Sequence, residues 1–124
     1  MTKLEHEIYL SGAPLRREGS ECLKDFIFEP CFIGFTGHFP NLPVLPALVQ
    51  LMAGSLCASE ATGQDLVPTG INRAKFFKPI SPNQAVCVRL SLSQEQHTWR
   101  AAVRLESQGE TVSTFQLILV VKES

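Results

Sequence analysis

Ala47-Leu48-Val49-Gln50-Leu51-Met52-Ala53-Gly54-Ser55-Leu56-Cys57-Ala58-Ser59-Glu60-Ala61 is the stretch that decides the fold. Apolar side chains occupy nearly every face, interrupted only by Gln50, Ser55, Ser59 and Glu60. A helix that is apolar all round is a buried helix. Fifteen residues at about 1.5 Å each give a rod of roughly 22 Å. Pro46 suits a first helical turn, where the missing N–H does no harm. Gly63 is a natural stop. Ala53, Gly54 and Ala58 are small, so a sheet can come close.

Downstream the period changes from 3.6 to 2. Thr69–Lys78 contains Ile71, Phe76 and Phe77 and ends at Pro79; Pro82-Asn83 turns the chain. Val86, Val88, Leu90 and Leu92 share one face of the next strand. Trp99, Ala101, Val103 and Leu105 share a face of another, and Phe115, Leu117, Leu119 and Val121 one of the last. Turns are expected at Glu95-Gln96-His97 and Gln108-Gly109-Glu110. Upstream, Leu4–Leu10 reads as a short strand, and Ser20–Glu29 as a second that ends before Pro30. The order is two strands, a buried helix, then four strands: one α+β domain over 1–124. The apolar runs Phe26-Ile27-Phe28 and Leu117–Val121 predict burial on both sheet faces, hence an isologous dimer.

With 124 residues and 44% hydrophobic content, the chain holds enough apolar material for one core. Charged residues make up 19% and the net charge is -1, a poor match to nucleic acid. No apolar run reaches the roughly 18 residues of a membrane span, and Met1–Glu7 lacks a signal-peptide layout. Cys22, Cys31, Cys57 and Cys87 form no C-x-x-C pair and lie in apolar or strand-like surroundings. Buried free thiols in a reducing cytoplasm are expected, and no metal site.

Gly34, Gly37, Pro40, Asn41, Pro43 and Pro46 exclude regular structure between 34 and 46. Phe35, Phe39, Leu42, Val44 and Leu45 in the same stretch make it a packed loop. It sets His38 nine residues ahead of Ala47, on a stiff support such as a positioned base needs. The helix start supplies free N–H groups and partial positive charge, able to polarise a carbonyl oxygen. His6 and His97 lie in polar surroundings and are read as solvated.

Gly37-His38-Phe39-Pro40-x-x-Pro43-Val44-Leu45-Pro46 resembles the G-H-F-P-G-x-P-V-M-P-G signature of the hotdog-fold 3-hydroxyacyl-ACP dehydratases. Gly70-Ile71-Asn72-Arg73-Ala74-Lys75-Phe76-Phe77-Lys78-Pro79-Ile80 is similar to that family's G-I-D-K-A-R-F-K-R-P-V segment. The order and approximate spacing agree, and the resemblance covers about residues 4–121. It implies a hotdog fold, in which an antiparallel sheet of about six strands wraps one long helix, working as a homodimer or a higher oligomer. It implies an acyl thioester substrate, presented on the phosphopantetheine of acyl carrier protein or as acyl-CoA, with no other cofactor. His38 matches the catalytic histidine, and Ala47 and Leu48 fall where backbone N–H groups hold the thioester oxygen. Phe39, Pro40, Val44, Gln50, Met52, Ser55, Asn72, Arg73, Lys75 and Phe76 are the candidate substrate contacts.

The departures are specific. The family acid, fourteen residues after the histidine, is Met52 here. The glycines after Pro40 and Pro46 are Asn41 and Ala47. Gln50 resembles a divergent subgroup associated with specialised chains such as aryl polyenes. Gln50 sits about 200° around the helix from Met52, so it cannot act from the same side, whereas Ser55 faces nearly the same way. Arg73, Lys75 and Lys78 are candidates to meet a phosphate or an acidic carrier. Two other readings stand beside dehydration: an acyl thioesterase on the same fold, and a non-catalytic acyl-binding subunit, suggested by Met52.

Overall fold

The computed structural model describes residues 1–35 and 43–123. The chain opens with a helix, α1 (Lys3–Leu10), where alternation of Leu4, Ile8 and Leu10 predicts a strand. Thr2 decides the matter. Its hydroxyl accepts the Glu5 N–H while the Glu5 carboxylate accepts the Thr2 N–H, both at 3.1 Å. This reciprocal cap satisfies two of the helix's open donors. Leu4 and Ile8, four residues apart, then turn one side inward, and Ile8 is fully buried.

Six antiparallel strands follow: β1 (Arg16–Glu18), β2 (Glu21–Ile27), β3 (Leu66–Phe76), β4 (Ala85–Glu95), β5 (Thr98–Ser107) and β6 (Glu110–Val121). The count agrees with expectation, but its first member is β1, too short to show periodicity. The sheet order is β1-β2-β4-β5-β6-β3, so β3 is an edge. A 3-10 turn, Ile33–Phe35, follows β2, and α2 (Ala47–Thr62) lies between β2 and β3 in sequence. The expected boundaries shift by a few residues: β2 stops at Ile27 and β3 starts at Leu66. Pro46 is the N-cap, with extended backbone (ψ 150°), so Ala47 is the first helical residue. Gly63 closes α2 in the left-handed conformation at φ 70°, its N–H donating to the Ser59 carbonyl.

α2 is buried along two rows of i+4 spacing, Val49-Ala53-Cys57 and Gln50-Gly54-Ala58. These pack on the sheet's inner face, where Val88, Leu90, Ala101, Val103, Leu105, Phe115, Leu117 and Leu119 are buried. Gly54 permits the close approach, since a Cβ there would stand 3.0 Å from the Phe115 ring. This is the hotdog arrangement. The expectation of a helix buried all round fails on the opposite side. Leu48 is 62% exposed, and Leu51, Met52 and Leu56 are only partly covered. Within one copy of the chain the second sheet face is open: Ile27 and Val121 are exposed, with Ile118 and Val120 half-buried. The apolar runs exceed what one copy of the chain covers.

β3 carries a bulge. Asn72 pairs with Gln116 and Lys75 with Thr114, so two residues of β3 oppose one of β6. Arg73 takes up the extra length at φ 53°. Alternation alone puts Asn72 and Lys75 on opposite faces; the bulge puts both outside. Among the cysteines, Cys22 and Cys57 are buried as expected, but Cys31 is exposed and Cys87 half-buried. All four are free thiols. No described helix is long and apolar enough to cross a membrane.

Candidate functional site

His38, Phe39 and Pro40 lie outside the described residues, so the site is built from its supports. The loop that follows them is pinned where it enters α2. Leu45 is buried, and its N–H donates to the Ile80 carbonyl at 2.8 Å, tying it to the segment after β3. Its carbonyl accepts the Gln50 Nε2 at 3.3 Å, and Gln50 Oε1 accepts the Ser113 hydroxyl of β6 at 2.7 Å. Gln50 is thus a satisfied buried amide on the sheet side of α2, on the far side of the helix from Met52. Sequence reasoning misses Ser113. The available signal is its register: it is the polar member of the inward series Ser113, Phe115, Leu117, Leu119.

Two spaces meet the helix N-terminus. A hollow of about 240 Å³ is lined by Val44, Leu45, Ala47, Gln50 and Phe76–Pro79. It brings together the candidates Val44, Ala47, Gln50 and Phe76. A larger groove of about 770 Å³ runs beside the open side of α2, lined by Leu48, Leu51, Met52, Ser55 and Leu56 against Leu66, Val67, Ile71 and Leu117. It holds the candidates Leu48, Met52 and Ser55. Its carboxylates, Glu5 and Asp65, lie where α1 and the residues after Gly63 close the groove, at the C-terminal end of α2. Glu5 is held below the usual carboxylate range by the Thr2 N–H it accepts.

Between these spaces stand the first N–H groups of α2. Val49 and Gln50 donate to the Pro46 carbonyl at 3.1 and 3.2 Å. Ala47 and Leu48 precede the first intrahelical bond, and neither N–H has an acceptor among the described residues. Pro46 offers no side-chain cap. The pair therefore forms an open donor site at the positive end of a sixteen-residue helix.

The remaining candidates are placed elsewhere. Asn72, Arg73 and Lys75 are exposed on the sheet face away from α2. Arg73 and Lys75 border an open hollow of about 460 Å³ with Arg89, Arg104 and Glu21. Arg89 is bound there by Glu21 at 2.9 Å and Glu106 at 3.1 Å, which hold its guanidinium charged. Among the described residues, no three His, Cys, Asp or Glu side chains converge to hold a metal ion.

The chain is similar to known proteins in sequence and in fold. The 3-hydroxyacyl-[acyl-carrier-protein] dehydratase FabZ of Nitrosospira multiformis is 29% identical over 71% of this chain and 68% of its own. That of Paracidovorax citrulli is 33% identical over 64% of this chain and 60% of its own. The chain thus spans about two thirds of the length of these relatives. The fold matches the dehydratase heterocomplex ApeI:P from Xenorhabdus doucetiae, with a TM-score of 0.73 and 20% identity over 88% of this chain and 96% of that one. It also matches a point mutant of the phenylacetic acid degradation protein PaaI from Thermus thermophilus, with a TM-score of 0.68 and 13% identity over 93% of this chain and 97% of that one. The family model for the ApeI-like proteins, described as ApeI dehydratase, matches residues 15–116. That match runs from β1 into β6 and takes in the whole of α2 with its open N-terminus, so the chain belongs to the ApeI-like dehydratase family.

Proposed function

We propose that the chain acts as a 3-hydroxyacyl-ACP dehydratase, on fatty or specialised acyl chains, with the thioester oxygen held by the N–H groups of Ala47 and Leu48. The observation that carries this reading is the open donor pair, Ala47 on the smaller hollow and Leu48 on the apolar groove, left uncapped by Pro46. Charge that builds on the thioester oxygen as the C2 proton leaves is met there by fixed donors, which cost no reorganisation. His38 is the base, since a neutral imidazole is available near pH 7. The C2–H bond breaks, the C2=C3 bond forms, and the C3 hydroxyl departs as water with the proton that His38 returns. His38 does both jobs because Met52, on the groove wall, transfers no proton.

The carrier's phosphopantetheine arm presents the substrate, and no other cofactor enters the scheme. Arg73, Lys75 and Arg104 form the surface that meets an acidic carrier, in a cytoplasmic setting that suits four free thiols. A second copy covers the seam. β3 is an unpaired edge, and Leu48, Ile71, Phe76 and Phe77 stand 43–62% exposed around it. Sedimentation equilibrium at micromolar concentration should give a dimer or a larger assembly; a stable monomer refutes the shared seam.

Turnover is tested by incubating the pure protein with 3-hydroxyacyl-ACP of short, long and aryl chains and following enoyl product by mass spectrometry. His38→Ala should lose about 10²–10⁴-fold of the rate, the usual share of general acid–base catalysis. Absence of product on every chain sinks the dehydratase reading. Met52 favours a second reading, a non-catalytic subunit that binds acyl-ACP with no bond changed. Thioester hydrolysis is the weaker alternative. The groove's carboxylates sit near the far end of a helix about 24 Å long, out of reach of a water at Ala47.

A further inference from the structure

We infer that Gln50 is a positioning residue that locks the oxygen-binding turn of α2 in place, and does not meet substrate. The kinetic arm of this inference rests on the dehydratase reading; the exchange arm does not.

The open donors create a structural problem. An ordinary N-cap residue steadies a helix start by accepting the N–H of the second or third helical residue. Here such a cap would occupy the Leu48 or Val49 donor, beside the space a thioester oxygen needs. Pro46 avoids that, but leaves the first turn without a side-chain clamp. Gln50 supplies the clamp from the opposite side of the helix. It is 4% exposed, and its partner Ser113 is fully buried.

The partners fix the amide's orientation. The Leu45 carbonyl can only accept, so Nε2 faces it; Oε1 then faces the Ser113 hydroxyl. Leu45 is held through both backbone polar atoms, its N–H by Ile80 and its C=O by Gln50. Leu45 directly precedes the N-cap. One side chain thereby ties three parts together: the loop entering α2, the first turn of α2, and β6. None of the α2 N–H groups is spent in doing so. Each polar end of the amide already has a protein partner, and the side chain is 4% exposed, so little of it is open to a substrate.

The test compares wild type with Gln50→Met, which keeps the side chain's length and loses both hydrogen bonds. The first readout is amide hydrogen exchange resolved over residues 44–50. We expect exchange there to rise about tenfold, the scale of one buried hydrogen bond, with β4 and β5 unchanged. The second readout is kinetic. The variant should lower kcat about tenfold while KM moves less than about twofold, because the lost element is alignment and not contact. A raised KM at unchanged kcat would make Gln50 a substrate contact and overturn the inference. Unchanged exchange over 44–50 would overturn it as well. If Gln50→Met does not fold, Ser113→Ala removes only the Oε1 partner and should give both effects at smaller amplitude; wild-type behaviour in that variant counts against the clamp. If wild type turns over no 3-hydroxyacyl thioester, the dehydratase reading fails, while exchange still decides whether Gln50 holds the turn.

Discussion

Replacing Gly54 by alanine pits two effects of similar size against each other, and the packing of α2 on the sheet decides between them. In a helix interior, Gly→Ala ordinarily stabilises by about 1 kcal/mol. At this position the new methyl would lie 3.0 and 3.2 Å from two carbons of the Phe115 ring and 3.4 Å from Val103 Cγ1. Neither neighbour can yield cheaply, because Phe115 is 2% and Val103 3% exposed. Inserting a methylene into a filled core costs about 1–3 kcal/mol. Taking about 2 kcal/mol from that range against a helical gain of about 1 leaves a net loss of about 1 kcal/mol, or roughly 4 °C in Tm for a domain of this size. Gly54→Val should lose more, since it adds two further carbons and β-branching. Thermal unfolding followed by circular dichroism measures both. Gly63→Ala provides the comparison: its site is open but has φ 70°, so any loss there is purely backbone strain. A Tm for Gly54→Ala several degrees above wild type would show that sheet and helix are not held at the distance described, and would refute the reasoning.

Met52→Glu places a carboxyl on the groove wall beside Ser55; burial should raise its pKa, and enoyl formation above wild type in a pH series would show the acid to be the missing element, while an inactive but folded variant would show that more than the acid is lost. Cys31 should react with a thiol reagent in the native state, whereas Cys57, whose thiol burial pushes up to about 12, should react only on unfolding. Because that folded value lies above the ordinary 9.0, the neutral thiol's contribution is full below pH 9 and is lost as pH rises toward 12; Cys57→Ala should flatten the alkaline fall in denaturation midpoint. Charge reversal at Arg73 and Lys75 should raise KM for an acyl-carrier substrate and weaken its salt dependence, with little effect on an N-acetylcysteamine thioester; equal effects on both substrates would place these residues in the acyl site instead.

What can be read from the sequence follows the strength of its periodicity. α2 and β4 to β6 carry long apolar patterns and stand where those patterns put them, though β6 starts at Glu110, five residues before the first residue of its pattern, Phe115. α1 is ambiguous because Leu4, Ile8 and Leu10 alternate as in a strand while Leu4 and Ile8 also share a helical face, and the deciding signal is the Thr2–Glu5 cap. The open side of α2 is hidden for a different reason: hydropathy records that a residue is apolar, but not whether its own chain or another covers it. In the site, the donors at Ala47 and Leu48 follow from the helix start alone. The role of Gln50 does not, since it depends on Ser113, sixty-three residues away and brought close only by the sheet. Arg73 and Lys75 lie on the outer face because of an irregularity that no alternating pattern encodes.

That irregularity is also a store of spare length. Ile71 and Phe76 both face inward although an odd number of steps separates them, because one residue between them is absorbed without a partner. Deleting Ala74 would draw on that store. The pairing between Asn72 and Lys75 would become one-to-one, and Phe76 would keep its inward side and Lys75 its outward one. What would be lost is the local bend at Arg73. β4 has no such reserve against β5, since their pairing runs unbroken from Cys87–Glu106 to Glu95–Thr98. Deleting Ser91 there would turn every side chain on one side of the cut to the opposite face. An edit of equal size is therefore absorbed at one end of the sheet and ruinous in its middle, and a designer reshaping the cationic face can shorten β3 at this point without reassigning the core.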